Sequence, residues 1–490
     1  MTASVFSRGL LVATAFASIL CMSPASGSEK TCGAGVREAR HSAPVSSSSA
    51  SAAVKSWKSN QRVLIVVDGL SDGAGYETEC RKLFPDVKVV HIQSSLSIPA
   101  ELVAVFFNPE KYDASFVYNN GNLDYLVNLF DRFAKKGVRV VAGTETGVAL
   151  ADLLSSRLKV FSNGVSKSAA RTDKELLAQN VEPLLDGNPM LKVIPGKSFE
   201  NAQAAMDYVR KQSWPYPLVL KPTGSAGNYG FRYIHDIQHL PDIFSELVGT
   251  KDPLGKKIER LMIQPRLNGV VVAMNTVSHP TLGIYPTDMW RTRVQFTETG
   301  IVFLRTRIAR FQASNPEHAR IFQAAGLTAR GLGIQFGPLH PEFLVTEDGM
   351  VYLMDAGARP AGGSLPVRAR ECGAVDQIHA TLMAAFDPAG FGRLQDVGPK
   401  LEKELALLYF VSTRSGVLKS VPTEEQMRQR IPGYVSHDVE HMKVGKLLGR
   451  SESLFNQPGF VVVEGTSDTI DSAERAIRDW ELNGFYQFEN

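Results

Sequence analysis

A regular alternation of apolar runs and helical patterns between residues 61 and 158 constrains the fold most. Short apolar runs, beginning with "VLIVV" and continuing through "VKVVHI", "ASFVYNN" and "VRVVAG", are typical of buried strands. Helical stretches such as "LDYLVNLFDRFAKK" separate them. Because parallel strands need crossover connections of this kind, the pattern predicts a Rossmann-like parallel sheet in an α/β domain at residues 57–165.

The turns of this predicted sheet carry no dinucleotide fingerprint. After the first strand, Gly73 and Gly75 are followed by Thr78, where that fingerprint needs a third glycine, so we reject NAD binding here. After the fourth strand, "TETGVALADLLSSRL" offers Thr144 as the cap of a helix.

The N-terminus is typical of a targeting segment. Arg8 precedes the apolar run "GLLVATAFASILCM" and the small residues "SPASGS", so residues 1–28 are predicted to be a signal. Residues 29–56, which include "HSAPVSSSSASAAV", are predicted to be a Ser/Ala-rich linker or a transit peptide. The four cysteines, at positions 21, 32, 80 and 372, form no disulfide framework. This favours an organelle, either a plastid or a mitochondrion, with secretion or a periplasm as the alternative.

The charge balance and the remaining hydropathy pattern exclude two classes of partner. Lysine and arginine total 53 against 50 acidic residues, so the net charge of +3 lacks the basic field that nucleic-acid binding requires. Beyond the leader, the sequence has no long uncharged apolar run, so we expect no membrane span in the mature protein.

A lysine followed by a glycine-rich turn, "LVLKPTGSAGNYGFRYI", is the first candidate for a binding site. Lys221 ends one predicted strand and supplies a fixed positive charge. The turn has almost no bulk at its tip, which lets backbone N–H groups approach phosphate oxygens closely. Its candidate ligand-binding residues are Thr223, Gly224, Ser225, Gly227, Asn228 and Tyr229. On this evidence alone, a plain hairpin with a long loop remains equally open.

Two carboxylates and an arginine near residue 350 form the second candidate. Glu342 lies in the strand "PEFLVT" and Asp355 ends the strand "MVYLMDAGARP", with the turn "TEDG" between them. If these strands form a hairpin, both carboxylates project at one end of it, where oxygen ligands can hold Mg²⁺ against phosphates. Arg359 follows Asp355 outside the strand and can stabilise a transferring phosphoryl group or an oxyanion.

In this chain order, the glycine-rich loop, lysine, carboxylates and arginine resemble the ATP-grasp carboxylate–amine ligases. The chain is most similar to the L-amino-acid ligases that make dipeptides, with carnosine synthase as a relative. The resemblance covers roughly residue 61 to the C-terminus and includes "SAARTDKELL", "LGIQFGPLHPEF" and "DAGARPAGG". It implies an ATP-grasp fold with a small lobe at residues 166–260, a large lobe with the metal site at 261–395 and a C-terminal α+β subdomain at 396–490.

The resemblance also implies roles for individual residues. Lys174 and Lys221 would contact the ATP phosphates, and the strand from Gln264 to Leu267 would lie against adenine. Glu342 and Asp355 would hold Mg²⁺, with Mn²⁺ as a substitute. Arg359 would stabilise the acyl phosphate and the tetrahedral species, and His340 would lie at the mouth of the substrate site.

Three positions depart from the common ATP-grasp pattern. Pro265 and Val271 stand where many of these enzymes have glutamate, and Gly357 replaces the usual asparagine ligand.

The implied function is an ATP- and Mg²⁺-dependent ligase that joins a small carboxylate to an amine, most simply an amino acid. The resemblance is also compatible with a homodimer. Two alternatives remain open: a different ATP-grasp reaction, such as carboxylation or phosphorylation, and a nucleotide-binding protein without catalysis.

Overall fold

A computed structural model describes residues 47–185, 187–225, 227–297, 300–439 and 442–489. The predicted signal, residues 1–28, and most of the predicted linker lie outside the described residues. Within them, the helices and strands build a parallel sheet, a small antiparallel sheet, a large mixed sheet and a three-stranded sheet near the C-terminus.

The first sheet is the predicted Rossmann-like parallel sheet, and it confirms the opening strand–helix alternation. Its strands are β1 (Val63–Val67), β2 (Lys88–Gln93), β3 (Ala114–Val117) and β4 (Val138–Ala142), in the order β3-β2-β1-β4. The helices that alternate with them are α2 (Gly75–Leu83), α3 (Ala100–Phe106), α4 (Leu123–Gly137) and α5 (Val148–Arg157). Every residue of β1 is buried, as expected for a central strand covered on both faces. The chain leaves β1 for β2 on one side and returns to β4 on the other, which places a crevice between the carboxyl ends of β1 and β4.

The last ten residues of the segment predicted to be a linker or a transit peptide form a helix, α1 (Ser47–Ser56). Ala50 and Val54, which are one helical turn apart, are buried against the parallel sheet with Phe130 and Phe133. Arg132 donates to the carbonyl of Val54 near the end of the helix. A serine-rich sequence is helical here because tertiary packing on one apolar face outweighs its weak helix propensity.

The second sheet is small and carries the glycine-rich turn. Its strands are β6 (Lys197–Phe199), β7 (Leu218–Pro222), β8 (Arg232–Ile234) and β9 (Leu261–Pro265), in the order β6-β9-β7-β8. They pack against helices α7 (Ala202–Val209) and α8 (Leu240–Leu247) through one apolar cluster. The predicted strand–turn–strand after Leu218 is therefore confirmed as the antiparallel pair β7–β8. Helix α6 (Lys174–Leu185) precedes this sheet in the chain.

The large sheet has the order β17-β19-β15-β12-β11-β10-β13-β14-β5. Its central strands are β10 (Val270–His279), β11 (Gly283–Phe296), β12 (Ile301–Ala309), β13 (Gly337–Val345) and β14 (Val351–Gly357). Strand β5 (Leu191–Val193) lies within the predicted small lobe but pairs in parallel with β14. Helices α9 (Pro316–Gly331), α10 (Leu365–Glu371), α11 (Gln377–Phe386) and α12 (Pro388–Val397) complete this region.

The C-terminal region extends the large sheet instead of standing apart from it. Strands β15 (Leu405–Tyr409), β17 (Tyr434–Asp438) and β19 (Phe460–Glu464) continue its edge, and α14 (Ser467–Leu482) packs behind them. The short strands β16 (Gly416–Ser420), β18 (Leu447–Leu448) and β20 (Gln487–Phe488) form the last sheet, near helix α13 (Glu424–Arg430). The predicted boundary at residue 396 therefore does not coincide with a sheet boundary, and the other domain boundaries stay predictions.

An aromatic cluster joins the small sheet to the tip of the β11–β12 hairpin. The rings of Tyr233 and Phe296 meet edge to face at 5.5 Å between centroids. Arg266, in the segment between β9 and β10, lies 4.5 Å from the centroid of the Phe296 ring. The two sheets thus meet at this hinge segment and enclose a cleft between them.

Two further observations concern the described residues as a whole. Cys80 and Cys372 are buried free thiols, and Cys21 and Cys32 lie outside the described residues. Across the described ranges, every helix is either too short or too polar to cross a membrane.

Candidate active site

The two predicted metal ligands face each other across the β13–β14 hairpin. Glu342 and Asp355 are direct partners in the antiparallel register, which confirms the hairpin on which their prediction depended. Their side chains are 39% and 35% exposed, so each is partly covered by protein and can still be reached from the cleft. Partner side chains of this kind stand about 5 Å apart at Cβ, a separation that lets two carboxylates share one cation.

Two lysines supply the positive charge opposite these carboxylates. Lys174 begins α6, and its Nζ lies 3.0 Å from Asp355 Oδ2 and donates to the carbonyl of Ser225 at 2.8 Å. Lys221 lies in β7, on the far side of the cleft. The structure therefore brings together the predicted lysine, glycine-rich turn and carboxylate, which are up to 181 residues apart in sequence.

The pKa shifts reflect this mutual arrangement. Burial would raise the pKa of Asp355, but the charges of Lys174 and Lys221 outweigh it and hold the pKa below its usual value. Burial, followed by the charge of Asp355, raises the pKa of Glu342. Burial, followed by the charge of Lys174, lowers the pKa of Lys221 to about 8. Two carboxylates compete for limited positive charge, so an added cation would stabilise both ionised forms.

These residues fit a divalent cation that is shared with phosphate. Hard oxygen ligands on adjoining strands suit Mg²⁺, which retains waters and substrate oxygens as its other ligands. Among the described residues, no group of three or more His, Cys, Asp or Glu side chains is arranged to hold a metal ion by itself. Glu342 and Asp355 would therefore complete their coordination shell with the nucleotide.

The glycine-rich loop, residues 223–230, adopts a backbone that suits its composition. Gly227, Asn228 and Gly230 all have positive φ, between 60° and 70°. Thr223 is buried, and its carbonyl accepts from the backbone N–H of Lys174 at 2.9 Å. At Gly224, an added Cβ would lie 2.3 Å from Lys256 Nζ, so a larger residue would displace the end of that lysine. Ala226 lies outside the described residues, and the contacts of this loop with phosphate stay a prediction.

A cavity of about 670 Å³ lies beside the hinge, on the side of β5 and β14. Pro265, Leu267, Val193 and Tyr352 are among the residues that line it. Its volume and mixed lining suit a nucleotide base with its ribose. Gln264 is buried, and its amide donates to the carbonyl of Ile194 at 3.1 Å. The side chain of Gln264 is thus already bonded within the protein, which leaves only its backbone for the predicted contact with adenine.

Arg359 pairs with a residue that the sequence interpretation missed. Its Nε donates to Glu145 Oε2 at 3.2 Å, and the two side chains are 19% and 20% exposed. Glu145 follows β4 at the crevice between β1 and β4, and this location at a strand's carboxyl end was the available signal. Thr144 is not the predicted side-chain cap, because its hydroxyl bonds the carbonyl of Asp68 and Thr146 Oγ1.

Gly357 makes room for this ion pair. A Cβ at Gly357 would lie 3.1 Å from Glu145 Oε2 and 3.2 Å from Arg359 Nε. A side chain here would press against the ends of Glu145 and Arg359, which would have to shift by a few tenths of an ångström. Gly357, in place of the asparagine that many ATP-grasp enzymes have, therefore leaves room for this carboxylate–guanidinium pair.

His340 is more enclosed than its predicted location at the mouth of the site implies, with a side chain only 12% exposed. Its Nδ1 lies 2.7 Å from Asn275 Oδ1, and Asn275 Nδ2 donates to Asp288 Oδ1 at 2.5 Å. Because Asn275 uses its N–H groups on Asp288, its oxygen faces Nδ1, which therefore carries the hydrogen. Burial, with Arg359 as the second cause, lowers the pKa of His340 to about 3. His340 is neutral, and its Nε2 lies 3.9 Å from Glu342.

Comparisons with known proteins find similar chains over most of this sequence. The chain is 25% identical over 444 residues to dapdiamide A synthase of Enterobacter agglomerans, covering 87% of this chain and 97% of that protein. The crystal structure of an L-amino acid ligase from Bacillus licheniformis matches with a TM-score of 0.61 at 14% identity, over 88% of this chain and 99% of that one. The biotin carboxylase domain of Hydrogenobacter thermophilus 2-oxoglutarate carboxylase, solved with MgADP and bicarbonate, matches with a TM-score of 0.53 at 14% identity, over 87% and 90%. No protein-family model matches the chain.

Proposed function

We propose that this protein uses ATP to activate a carboxylate as an acyl phosphate and joins it to the amino group of an amino acid. The chain has the ATP-grasp fold and resembles ATP-dependent, ADP-forming carboxylate–amine ligases over most of its length. The fold and the family resemblance predicted from the sequence are therefore confirmed. One observation carries the proposal: the Glu342–Asp355 pair and Lys174 adjoin the ion pair of Arg359 with Glu145.

The first step forms a bond between a carboxylate oxygen and the γ-phosphorus of ATP, and ADP leaves. Lys174 and Lys221 hold the phosphates in place, and the glycine-rich loop limits access of water to them. Glu342 and Asp355 would hold Mg²⁺, which neutralises charge on the phosphate oxygens when it is bound. The chain contributes mainly position and electrostatics to this step.

In the second step the amine attacks the acyl carbon, phosphate leaves and the nitrogen loses a proton. Arg359 stabilises the negative charge that develops on the acyl oxygen. Glu145 orients the Arg359 guanidinium through their shared hydrogen bond. Its carboxylate also offers a partner for the ammonium group of an amino acid, and this supports an amino-acid substrate.

The test is ADP release by a chain beginning at residue 47, which retains α1, supplied with ATP, Mg²⁺ and pairs of amino acids. Mass spectrometry should find a product whose mass is the sum of the two substrates minus water. Arg359→Ala should abolish that product. ADP release that needs bicarbonate, or only one substrate, would instead indicate a carboxylase or a kinase.

The proposal also includes targeting to an organelle and assembly as a homodimer. The leader composition supports the first, and the structurally similar biotin carboxylase domain of Hydrogenobacter thermophilus 2-oxoglutarate carboxylase, which was crystallised as a dimer, supports the second. Cell fractionation of the full-length chain and light scattering of the purified protein would test them. Retention of the full chain in the cytosol would contradict targeting, and a monomeric mass would contradict the dimer.

A further inference from the structure

Gln377 is a buried amide that bonds three separate parts of the reaction centre. It begins α11 and is completely buried. Its Oε1 accepts from the backbone N–H of Ala361 at 2.7 Å. Its Nε2 donates to the carbonyls of Leu339 at 2.9 Å and Thr276 at 3.3 Å. A single side chain therefore uses both ends of its amide on backbone atoms, none of which belongs to its own helix.

The three bonded positions adjoin three residues of the site. Ala361 lies two residues after Arg359, Leu339 precedes His340, and Thr276 follows Asn275. The register of β10 with β11 shifts between Asn275 and Thr276, so the strand is irregular at this point. On β13, Pro341 has no N–H to offer its neighbours. Gln377 thus bonds these two strands beside the irregularity of β10 and close to Pro341.

The segment that carries Arg359, residues 358–364, contains two adjacent glycines; we call it the arginine loop. Gly362 and Gly363 have open space where a Cβ would project, and Gly363 has a φ of +68°. The far end of the loop is tied by the backbone N–H of Ser364, which donates to buried Asp72 at 3.0 Å. Gln377 holds the middle of the loop. Ala361 is completely buried, so without Gln377 its backbone N–H would lose its acceptor, and the loop next to Arg359 would be held by packing, by Glu145 and by its ends.

We propose that Gln377 is a positioning residue that sets the location of Arg359 relative to the Glu342–Asp355 pair. This inference rests on the proposed ligase function, since it assigns Gln377 to the step in which Arg359 stabilises the acyl oxygen. Gln377 does not touch substrate and acts through the backbone of Ala361. A displacement of about 1 Å at such a centre can lower a rate about 100-fold.

The test compares Gln377→Met, which keeps the size of the side chain but can neither donate nor accept, with Gln377→Glu, which keeps the oxygen facing Ala361. The matched control is Thr381→Val, a near-isosteric loss of a buried polar group on the same helix. We expect Gln377→Met to lower kcat about 100-fold while KM for ATP changes less than about 2-fold. Gln377→Glu should recover about 10-fold of that loss because it keeps the Ala361 bond. A kcat for Gln377→Met equal to that of Thr381→Val would overturn the proposal. A rise in KM for ATP as large as the fall in kcat would also overturn it.

A second readout does not depend on catalysis. Hydrogen exchange of the segment around Ala361 should accelerate at least about 10-fold in Gln377→Met, because its N–H loses its acceptor, and should be unchanged in Thr381→Val. If no substrate pair yields an amide with the wild-type protein, the proposed function fails, and this exchange result alone decides the positioning role. Unchanged exchange at Ala361 would overturn it in either case.

Discussion

The glycine-rich loop and the arginine loop approach the same reaction centre, yet they are held in opposite ways. Gly227, Asn228 and Gly230 give the glycine-rich loop a left-handed backbone, and its backbone atoms at Thr223 and Ser225 bond Lys174 and Arg260. The arginine loop is also rich in glycine, but buried Gln377 and Asp72 bind its backbone from two other elements. Two loops of similar composition therefore suit different tasks: one can open for a nucleotide, and the other fixes a charge.

The largest expected effect comes from removing the charge that the arginine loop presents. Arg359→Ala should lower kcat about 1,000-fold, equivalent to about 4 kcal/mol, because one preorganised donor to the developing charge is lost. KM for ATP should stay within about 3-fold, since the nucleotide contacts lie elsewhere. Steady-state kinetics would measure both values, with exposed Arg393→Ala as the control. A rise in KM for ATP without a fall in kcat would mean that Arg359 binds nucleotide, and the contrast between the loops would fail.

The anchor at Asp72 predicts a pH dependence of stability. Burial raises the pKa of Asp72 to about 6. Below the unfolded pKa, near 4, the carboxyl is protonated in both states. Between about pH 4 and pH 6 the unfolded state ionises while the folded state stays protonated, so stability falls as pH rises and the loss is complete above the folded pKa. Asp72→Asn keeps the acceptor for Ser364 and cannot ionise. The free energy of unfolding of Asp72→Asn, relative to that of wild type, should therefore rise by about 3 kcal/mol between pH 3.5 and pH 7.5.

Urea unfolding of wild type and Asp72→Asn at the two pH values measures that gap. Asp207→Asn, at an exposed position, is the control for a general charge effect. A gap that is constant or shrinks with rising pH would show that Asp72 is already ionised without penalty in the fold.

The link between the glycine-rich loop and the carboxylates predicts an intermediate effect. Lys174→Gln removes a charge that contacts both Asp355 and the carbonyl of Ser225. We expect kcat/KM for ATP to fall about 30-fold, equivalent to about 2 kcal/mol, mainly through KM. The Mg²⁺ concentration needed for half-maximal rate should fall, because Asp355 loses its competing cation. Lys211→Gln, at an exposed position, is the control. An unchanged Mg²⁺ dependence of the rate would show that Lys174 does not affect metal binding.

The smallest effect is expected within the glycine-rich loop itself. Gly230 has a φ of +70°, and an added Cβ would lie 2.9 Å from Pro222. Gly230→Ala should therefore cost the closed loop about 1 to 2 kcal/mol and raise KM for ATP about 5- to 30-fold. Gly249→Ala has a similar φ without a close neighbour, so it isolates backbone strain from the collision with Pro222. If Gly230→Ala lowered kcat at saturating ATP and left KM unchanged, the loop would act in chemistry instead of access.

Local patterns predicted much of this molecule, because they reflect forces that act between near neighbours. Strand alternation gave the parallel sheet, and the "TEDG" turn gave the hairpin that pairs Glu342 with Asp355. Strand β11 was missed as a single strand, since Pro286 and several polar residues interrupt its apolar pattern. Helix α1 was missed because serine-rich composition gives no sign of the sheet that Ala50 and Val54 pack against.

The residues that hold the site in place were beyond such patterns. Gln377 and Asp72 act through single hydrogen bonds to backbone atoms that are distant in sequence. Nothing in the residues around Gln377 distinguishes it from an ordinary buried polar group. Asp72 and Glu145 differ from Gln377, because each follows a strand of the parallel sheet at its carboxyl end, and that place was a usable signal.

The partners Glu145 and Arg359 are 214 residues apart in the chain. During synthesis the parallel sheet can fold long before the segment with Arg359 leaves the ribosome. A nascent chain therefore has no complete centre at which ATP could be cleaved. The protein can therefore cleave ATP only after the segment with Arg359 has been synthesised and has joined Glu145. An incomplete polypeptide does not consume nucleotide.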